Sequence, residues 1–187
     1  MARLGIQGLC CDKTTELGED EVYMIVAARA SDGRTWGFRL PDSSGHWDMN
    51  DGQDDSNHCI SNVTIWDAPL PDGQDVTISV AIMEEDGGTS RPYTDIAAAM
   101  LQTSGDPVGM LTGQILGVIG HFFPLGNSDD FIGAFSVMIS NVDNTLQVAW
   151  RPKDCVTSEI VNIHGANTHE FRMNGDGSNY VGWYQVT

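Results

Sequence analysis

Basic side chains are the scarcest charged groups in this sequence of 187 residues. Nine Lys and Arg stand against 26 Asp and Glu, which gives a formal net charge of −17 at pH 7. A nucleic-acid-binding surface needs clustered Lys and Arg to neutralise phosphates, so this composition excludes recognition of nucleic acid through a basic footprint. Only 19% of the residues are charged and 21 are glycine, which excludes a coiled coil or a charge-rich disordered tail.

The sequence also has no CxxC pair and no long apolar segment at its start. Its cysteines are Cys10, Cys11, Cys59 and Cys155. Because neighbouring strand residues point to opposite faces, Cys10 and Cys11 do not easily bind one metal together, and a zinc site is not expected. We expect buried free thiols, with one disulfide as the alternative for an extracellular protein. Met1-Ala2-Arg3 leads directly into a strand-like segment, so no secretory signal peptide is predicted, and the compartment stays open.

Carboxylates are concentrated in the middle of the chain. Residues 40 to 150 contain 16 Asp and Glu but only one basic residue, Arg91. Clustered carboxylates repel one another unless protons, solvent or hard cations intervene. The simple interpretation is solubility, and the more specific one is bound Ca²⁺. Without such a cation, anionic lipids would be repelled.

Most of the chain has the pattern of short strands separated by turn signals. Pro71-Asp72-Gly73, for example, is a turn signal between two strand candidates. Strands at roughly 8–12-residue spacing predict an antiparallel β-sandwich, and the length suits a single domain over residues 1–187. A loop is predicted from Pro41 through Asn57. The predicted strands are Leu4–Cys10, Val22–Ala28, Thr35–Leu40, Ile60–Trp66, Val76–Met83, Phe131–Ser140, Leu146–Trp150, Glu159–Ile163, Glu170–Met173 and Tyr180–Val186.

The segment of about residues 94–125 has a helical pattern instead. Thr94 is predicted to cap a helix over residues 95–102, the best helix-forming run in the chain. After Ser104-Gly105, Asp106 caps a second helix that begins with Pro107 and stops before Pro124. The two helices predict an αα-hairpin, at about residues 94–123, inserted into the β fold.

The second helix, residues 107–122, is apolar on nearly every side. Residues 107–125 contain no charged side chain, and Gly109, Gly113 and Gly117 form a ridge of small residues. Three interpretations are open: the ridge packs against the sheet or the first helix, the helix engages a membrane after a conformational change, or it is buried in an oligomer interface. The helix would be about 25 Å long, which is shorter than the ~30 Å hydrocarbon core of a bilayer.

Acidic side chains accumulate where three predicted strands begin or end. Hard cations such as Ca²⁺ take 6–8 oxygen ligands from flexible loops at about 2.3–2.6 Å. Strand ends that meet at one edge of a sandwich would supply these oxygens, so the sequence predicts a calcium site there. Its candidate ligands are Glu16, Asp20, Glu84, Asp86, Asp129 and Asp130.

These residues resemble a known family, the C2 domain. Residues 19–26 (EDEVYMIV) are similar to the strand entry that follows the first calcium loop of that family. Residues 82–86 (IMEED) and 130–133 (DFIG) are similar to the two sides of its third calcium loop, with the helical segment as an insertion between them. The resemblance covers about half of the chain, its beginning and middle. It implies an eight-stranded sandwich and calcium-dependent membrane or protein binding through these loops, without catalysis.

The segment from His46 to Cys59 also contains ligand-type residues. It does not fit an EF-hand, because Gly52 comes one residue early when Asp48 is position one, and position twelve is Cys59. We interpret it as an acidic loop, with a second weak cation site as the alternative. The sequence contains no nucleophile elbow, P-loop or dinucleotide fingerprint, so a non-enzymatic protein is predicted.

Three functions remain open from the sequence. The preferred one is a non-enzymatic, calcium-binding C2-like module that contacts a membrane or protein partner through its acidic loop edge and helix 107–122. A secreted toxin or effector that disrupts membranes is an extreme form of it. The alternative is a self-assembling structural subunit, a homo-oligomer whose carboxylates are neutralised by Ca²⁺. A hydrolase that uses His46 and Asp48 comes third.

Overall fold

The chain is mainly β in the computed structural model, which describes residues 1–14, 19–42, 45–51, 58–85, 93–103, 129–150, 158–159, 168–175 and 177–187. Within these ranges there is one helix, α1 (Tyr93–Thr103). The strands are β1 (Ala2–Lys13), β2 (Asp20–Ala30), β3 (Thr35–Leu40), β4 (Trp47–Met49), β5 (Cys59–Ala68), β6 (Asp75–Glu85), β7 (Asp129–Val142), β8 (Thr145–Trp150), β9 (Ser158–Glu159), β10 (Thr168–Met173) and β11 (Asn179–Val186).

The strands form two antiparallel sheets. The first has the order β5-β1-β11-β10-β9, and the second has the order β3-β2-β6-β7-β8, with β4 also paired to β2. Side chains from both sheets share one hydrophobic core, for example Leu4 and Tyr184 of the first with Val26 and Ile78 of the second. The sheets therefore face each other in a sandwich-like arrangement, which confirms the predicted mainly β, antiparallel character.

Strand β2 is a nearly continuous apolar run because both of its faces are covered. Val22, Met24, Val26 and Ala28 lie in the core between the sheets. Tyr23, Ile25 and Ala27 point the other way and pack in a second cluster with Ile96, Ala97 and Met100 of α1. Successive strand residues point to opposite faces, so a strand buried on both sides loses its polar alternation. Helix α1 thus covers the outer face of the second sheet.

The predicted strands all overlap strands of the structure, and Thr35–Leu40 matches β3 at both ends. The predicted loop over residues 41–57 is wrong at Trp47–Met49, which form β4 because Met49 inserts into the core and is fully buried. The first predicted helix, residues 95–102, is confirmed by α1, which begins one residue before the predicted cap at Thr94. The second predicted helix, residues 107–122, and hence the hairpin, lie outside the described residues, as does the end of the strand predicted over residues 159–163.

A disulfide joins Cys10 of β1 to Cys59 of the edge strand β5, at positions that face each other directly in the antiparallel register. The expectation of free thiols is therefore wrong for these two residues, and the alternative of one disulfide is confirmed. Cys11 is a buried free thiol on the opposite face of β1, as the strand pattern predicts. Cys155 lies outside the described residues.

Phe171 of β10 lies over Gly182, the residue directly opposite it on β11. A Cβ atom added at Gly182 would come within 2.4 Å of the Phe171 ring. The ring also packs against Phe135 and Tyr184, with centroid distances of 4.7 and 6.3 Å. Gly182 therefore makes room for an aromatic cluster that links the two sheets.

Candidate functional site

The beginning of β2, the end of β6 and the beginning of β7 meet at one edge of the second sheet. In the register, Glu84 of β6 lies between Val22 of β2 and Asp130 of β7. Asp20 begins β2 two residues before Val22. These strand ends, together with the paired end of β4, form what we call the acidic edge, made of Asp20, Glu21, Asp48, Glu84, Glu85, Asp129 and Asp130.

Two carboxylate-bearing residues of β6 lie directly opposite two of β7. Glu84 pairs with Asp130, and Glu85 pairs with Asp129. For Asp129 and Asp130 the structure describes the backbone, so the pairing refers to the positions of the residues in the strand register. Like charges directly opposite each other on neighbouring strands are destabilising. This pairing is therefore unfavourable unless solvent, protons or cations compensate it.

Arg39 of β3 supplies part of that compensation. Its guanidinium lies 2.6 Å from Glu85 Oε2, donates to the backbone oxygen of Gly45 at 3.0 Å, and lies 4.0 Å from the centre of the Tyr23 ring. Only 6% of Arg39 is exposed, so the ion pair is partly shielded from water. Among the described arginines and lysines, Arg39 is the one that ion-pairs at this edge, and it is already bound to Glu85.

Asp20 points into the core between the two sheets and is fully buried. The hydroxyl of Tyr180 on β11 donates a hydrogen bond to Asp20 Oδ2 at 2.5 Å, and the same hydroxyl shares a hydrogen bond with the Cys11 thiol. Burial, reinforced by the bond to Asp20, raises the pKa of Tyr180 far above its usual value. Burial also raises the pKa of Cys11 from 9.0 to about 11, although the bond to Tyr180 acts in the opposite direction. These three side chains form a buried polar network at the inner side of the acidic edge.

Glu84 is on the same inner face and is 2% exposed. A carboxylate in such a place is costly to bury unless it is protonated, hydrogen-bonded or bound to a cation. Glu84 and Asp20 therefore differ from the exposed acidic residues of an ordinary soluble surface.

The six predicted ligands have three different outcomes. Asp20 and Glu84 are both buried at the acidic edge, and Asp129 and Asp130 lie there by register. Glu16 and Asp86 lie outside the described residues. The structure adds residues that the sequence analysis did not select as site residues. Glu21 and Glu85 stand in the acidic motifs of the sequence and could have been selected. Tyr180 is 160 residues from Asp20, and no pattern around Arg39 in the sequence connects it with the acidic edge.

Two further groups contain metal-ligating residue types among the described residues: Glu21 with His46 and Asp48, and Cys10 with His58 and Cys59. In the second group both cysteines are in the disulfide, so they offer no thiolate. The first group keeps all of its donors and lies on the outer face of β2. The predicted acidic loop is thus partly a strand that brings His46 and Asp48 to Glu21.

Comparison with protein families, with curated proteins and with solved structures finds no match. In the part of the chain that the structure describes, no helix is both long enough and apolar enough to cross a bilayer.

Proposed function

We propose that this chain is a non-enzymatic, C2-like module that binds Ca²⁺ at the acidic edge and uses the metal-bound edge to contact a membrane or a protein partner. The observation that carries the proposal is the pairing of Glu84 with Asp130 and of Glu85 with Asp129 on neighbouring strands. Among these four residues, Glu85 forms an ion pair with Arg39. Ca²⁺ is the common biological cation whose preferred ligands are several carboxylate oxygens.

Asp20, Glu84, Asp129 and Asp130 would supply the ligands, together with Glu16 and Asp86 of the adjoining segments. Tyr180 would fix the orientation of Asp20, because its hydroxyl already binds one carboxylate oxygen. Such a supporting hydrogen bond is the usual way in which a ligating carboxylate is held in position.

A calcium-dependent thermal melt tests the metal site. A ligand at 100 times its Kd stabilises a folded protein by about 2.7 kcal/mol, which corresponds to a rise in Tm of about 5–10 °C for a chain of this size. We expect Ca²⁺ to raise the Tm, EDTA to lower it, and Asp130→Asn to remove most of the rise. Asp143→Asn is the matched control, because Asp143 lies at the other end of the β7 hairpin, in its turn. A Tm that does not respond to Ca²⁺ contradicts the proposal.

Binding to vesicles tests the contact with a membrane. A chain of net charge −17 is repelled by anionic lipid unless a cation screens or bridges the two surfaces. We expect co-sedimentation with phosphatidylserine vesicles in Ca²⁺ but not in EDTA, and less of it for Asp130→Asn. Calcium-dependent self-association in the absence of lipid, measured by sedimentation velocity, would instead favour the assembling subunit.

A further inference from the structure

Glu21, His46 and Asp48 form a second group of donors on the outer face of β2, opposite to the face that carries Asp20. One donor atom from each of the three residues lies within 4.8 Å of the other two. Glu21 follows Asp20 on the strand, so their side chains point to opposite faces of the sheet. The group is therefore separate from the buried carboxylates Asp20 and Glu84.

The backbone register holds this group together. Strand β4 pairs with β2 so that Asp48 lies directly opposite Glu21, and His46 precedes Asp48 by two residues, which places it on the same face. Two carboxylates directly opposite each other are unfavourable. The described basic residue nearest to them in the register, Arg39, is bound to Glu85 and to the backbone of Gly45. The imidazole of His46 is the group that lies between the two carboxylates.

The two nitrogens of the His46 ring face different carboxylates. His46 Nε2 is 3.2 Å from Asp48 Oδ1, and His46 Nδ1 is 3.8 Å from Glu21 Oε2. Nδ1 is shielded from solvent and has no hydrogen-bond partner, and 3.8 Å is too long for a hydrogen bond. Nitrogen and oxygen ligands at about 2.1 Å from a tetrahedral metal are about 3.4 Å apart. The two carboxylates face different nitrogens of the ring, and an ion takes only one of these nitrogens. Because one donor atom from each of the three residues already lies within 4.8 Å of the other two, rotation of the Glu21 and Asp48 side chains would bring one nitrogen and two oxygens around a single ion.

We propose that Glu21, His46 and Asp48 bind a divalent metal ion of the zinc class, with water in the remaining position. One imidazole with two carboxylates suits Zn²⁺, Co²⁺ or Ni²⁺, whereas Ca²⁺ takes oxygen ligands and does not select for imidazole. The ion cross-links the three-residue strand β4 to β2 at the outer face of the acidic edge, to which Glu21 and Asp48 belong. This site differs from the proposed calcium site in its ligand chemistry, and it lies on the face of the sheet opposite to Asp20 and Glu84.

Metal titrations of the whole chain test the proposal. With Ca²⁺ in excess to saturate carboxylate sites, Zn²⁺ is titrated by calorimetry and Co²⁺ by its visible absorption. We expect one ion per chain and a loss of more than about tenfold in affinity for His46→Gln and for Glu21→Gln, since even outer-shell changes at metal sites cost 10–100-fold. His58→Gln is the matched control. Glu21→Gln nearly preserves the shape of a partly exposed side chain, and circular dichroism checks that it is folded.

Several results would overturn the proposal. The first is that the wild-type chain binds neither Zn²⁺ nor Co²⁺. The second is that His46→Gln binds these ions with the same affinity as the wild type, and the third is that His58→Gln loses binding while His46→Gln keeps it. The test is independent of the calcium site, because His46→Gln is expected to keep the calcium-dependent rise in Tm while Asp130→Asn is expected to keep Zn²⁺ binding.

Discussion

Tyr180 reaches across the core to Asp20, so that one hydrogen bond of 2.5 Å joins β11 of the first sheet to β2 of the second. Both residues are fully buried. The bond fixes the beginning of β2, which is also where the acidic edge begins. The interior packing of the two sheets and the geometry of the candidate calcium site are therefore connected through a single pair of side chains.

Removal of this bond should destabilise the protein by more than the loss of one oxygen atom suggests. Tyr180→Phe leaves a buried carboxyl oxygen without its donor, so we expect the free energy of unfolding to fall by about 1–3 kcal/mol. Urea unfolding of Tyr180→Phe, Asp20→Ala and the double variant measures the coupling between the two residues. If the losses in the free energy of unfolding of the two single variants add up to the loss in the double variant, the hydrogen bond contributes nothing specific to stability.

The stability should also fall at alkaline pH because of Cys11. Its thiol ionises near pH 9.0 when exposed but only near pH 11 in the fold, so the unfolded chain releases this proton first. The contribution of Cys11 is fully present below pH 9 and is lost as the pH rises through 11. Urea unfolding between pH 8 and 11 should show this decline, and Cys11→Ala should make it smaller. If the stability of Cys11→Ala falls by the same amount over this pH range, groups other than Cys11 cause the decline.

The ion pair of Arg39 with Glu85 should be important for stability and should limit calcium affinity. Arg39→Met leaves Glu85 without its cation in a partly buried place, so we expect a loss of about 3 kcal/mol in urea unfolding. The edge also becomes more negative, so the rise in Tm on adding Ca²⁺ should be larger than in the wild type. The control is Arg34→Met, which breaks the exposed pair with Asp32 and should cost less than about 1 kcal/mol. If the rise in Tm on adding Ca²⁺ is smaller in Arg39→Met than in the wild type, the ion pair of Arg39 with Glu85 does not limit calcium affinity.

Reduction of the disulfide between Cys10 and Cys59 should loosen the edge strand β5. The bond closes a loop with a sequence separation of 49 residues, and disulfides of this kind typically stabilise by about 2–4 kcal/mol. Chemical unfolding with and without a reducing agent measures the loss, and the double serine variant should reproduce it. Equal stability of the oxidised and reduced chains would contradict this expectation.

Gly182→Ala should disturb the aromatic cluster, because the new methyl group would overlap the Phe171 ring. Overpacking of this kind costs about 1–3 kcal/mol, which thermal unfolding would detect. Gly5→Ala in β1 is the matched control, because its nearest neighbour would be at an ordinary 3.5 Å. If the two variants have the same Tm, the cluster adapts more easily than the geometry indicates.

The strands could be predicted from the sequence because their patterns are local. In β11, buried and less buried residues alternate, which is the signal of a strand covered on one face. Strands β2 and β6 lack this alternation but are bounded by turn and acidic residues, which distinguishes them from helices. Their convergence at one edge could also be expected, because the ends of antiparallel neighbours lie together.

The contacts that complete the site could not be predicted in the same way. Asp20 and Tyr180 are brought together by the packing of two sheets, and nothing near either residue in the sequence indicates the other. Strand β4 has only three residues, which is too short for a periodic pattern, and its position depends on the burial of Met49. For the same reason, the meeting of His46 with Glu21 follows from tertiary structure alone.

The adjacent positions of Cys10 and Cys11 have a consequence for thiol chemistry. Exchange of a disulfide requires a thiolate to attack one of the two sulfur atoms directly. Cys11 is next to the bonded residue in the chain, but its sulfur is on the other side of β1, fully buried, with a pKa of about 11. In the folded protein, the Cys11 thiol therefore does not attack the disulfide between Cys10 and Cys59. Disulfide exchange between Cys10 and Cys11 requires β1 to separate from the sheet.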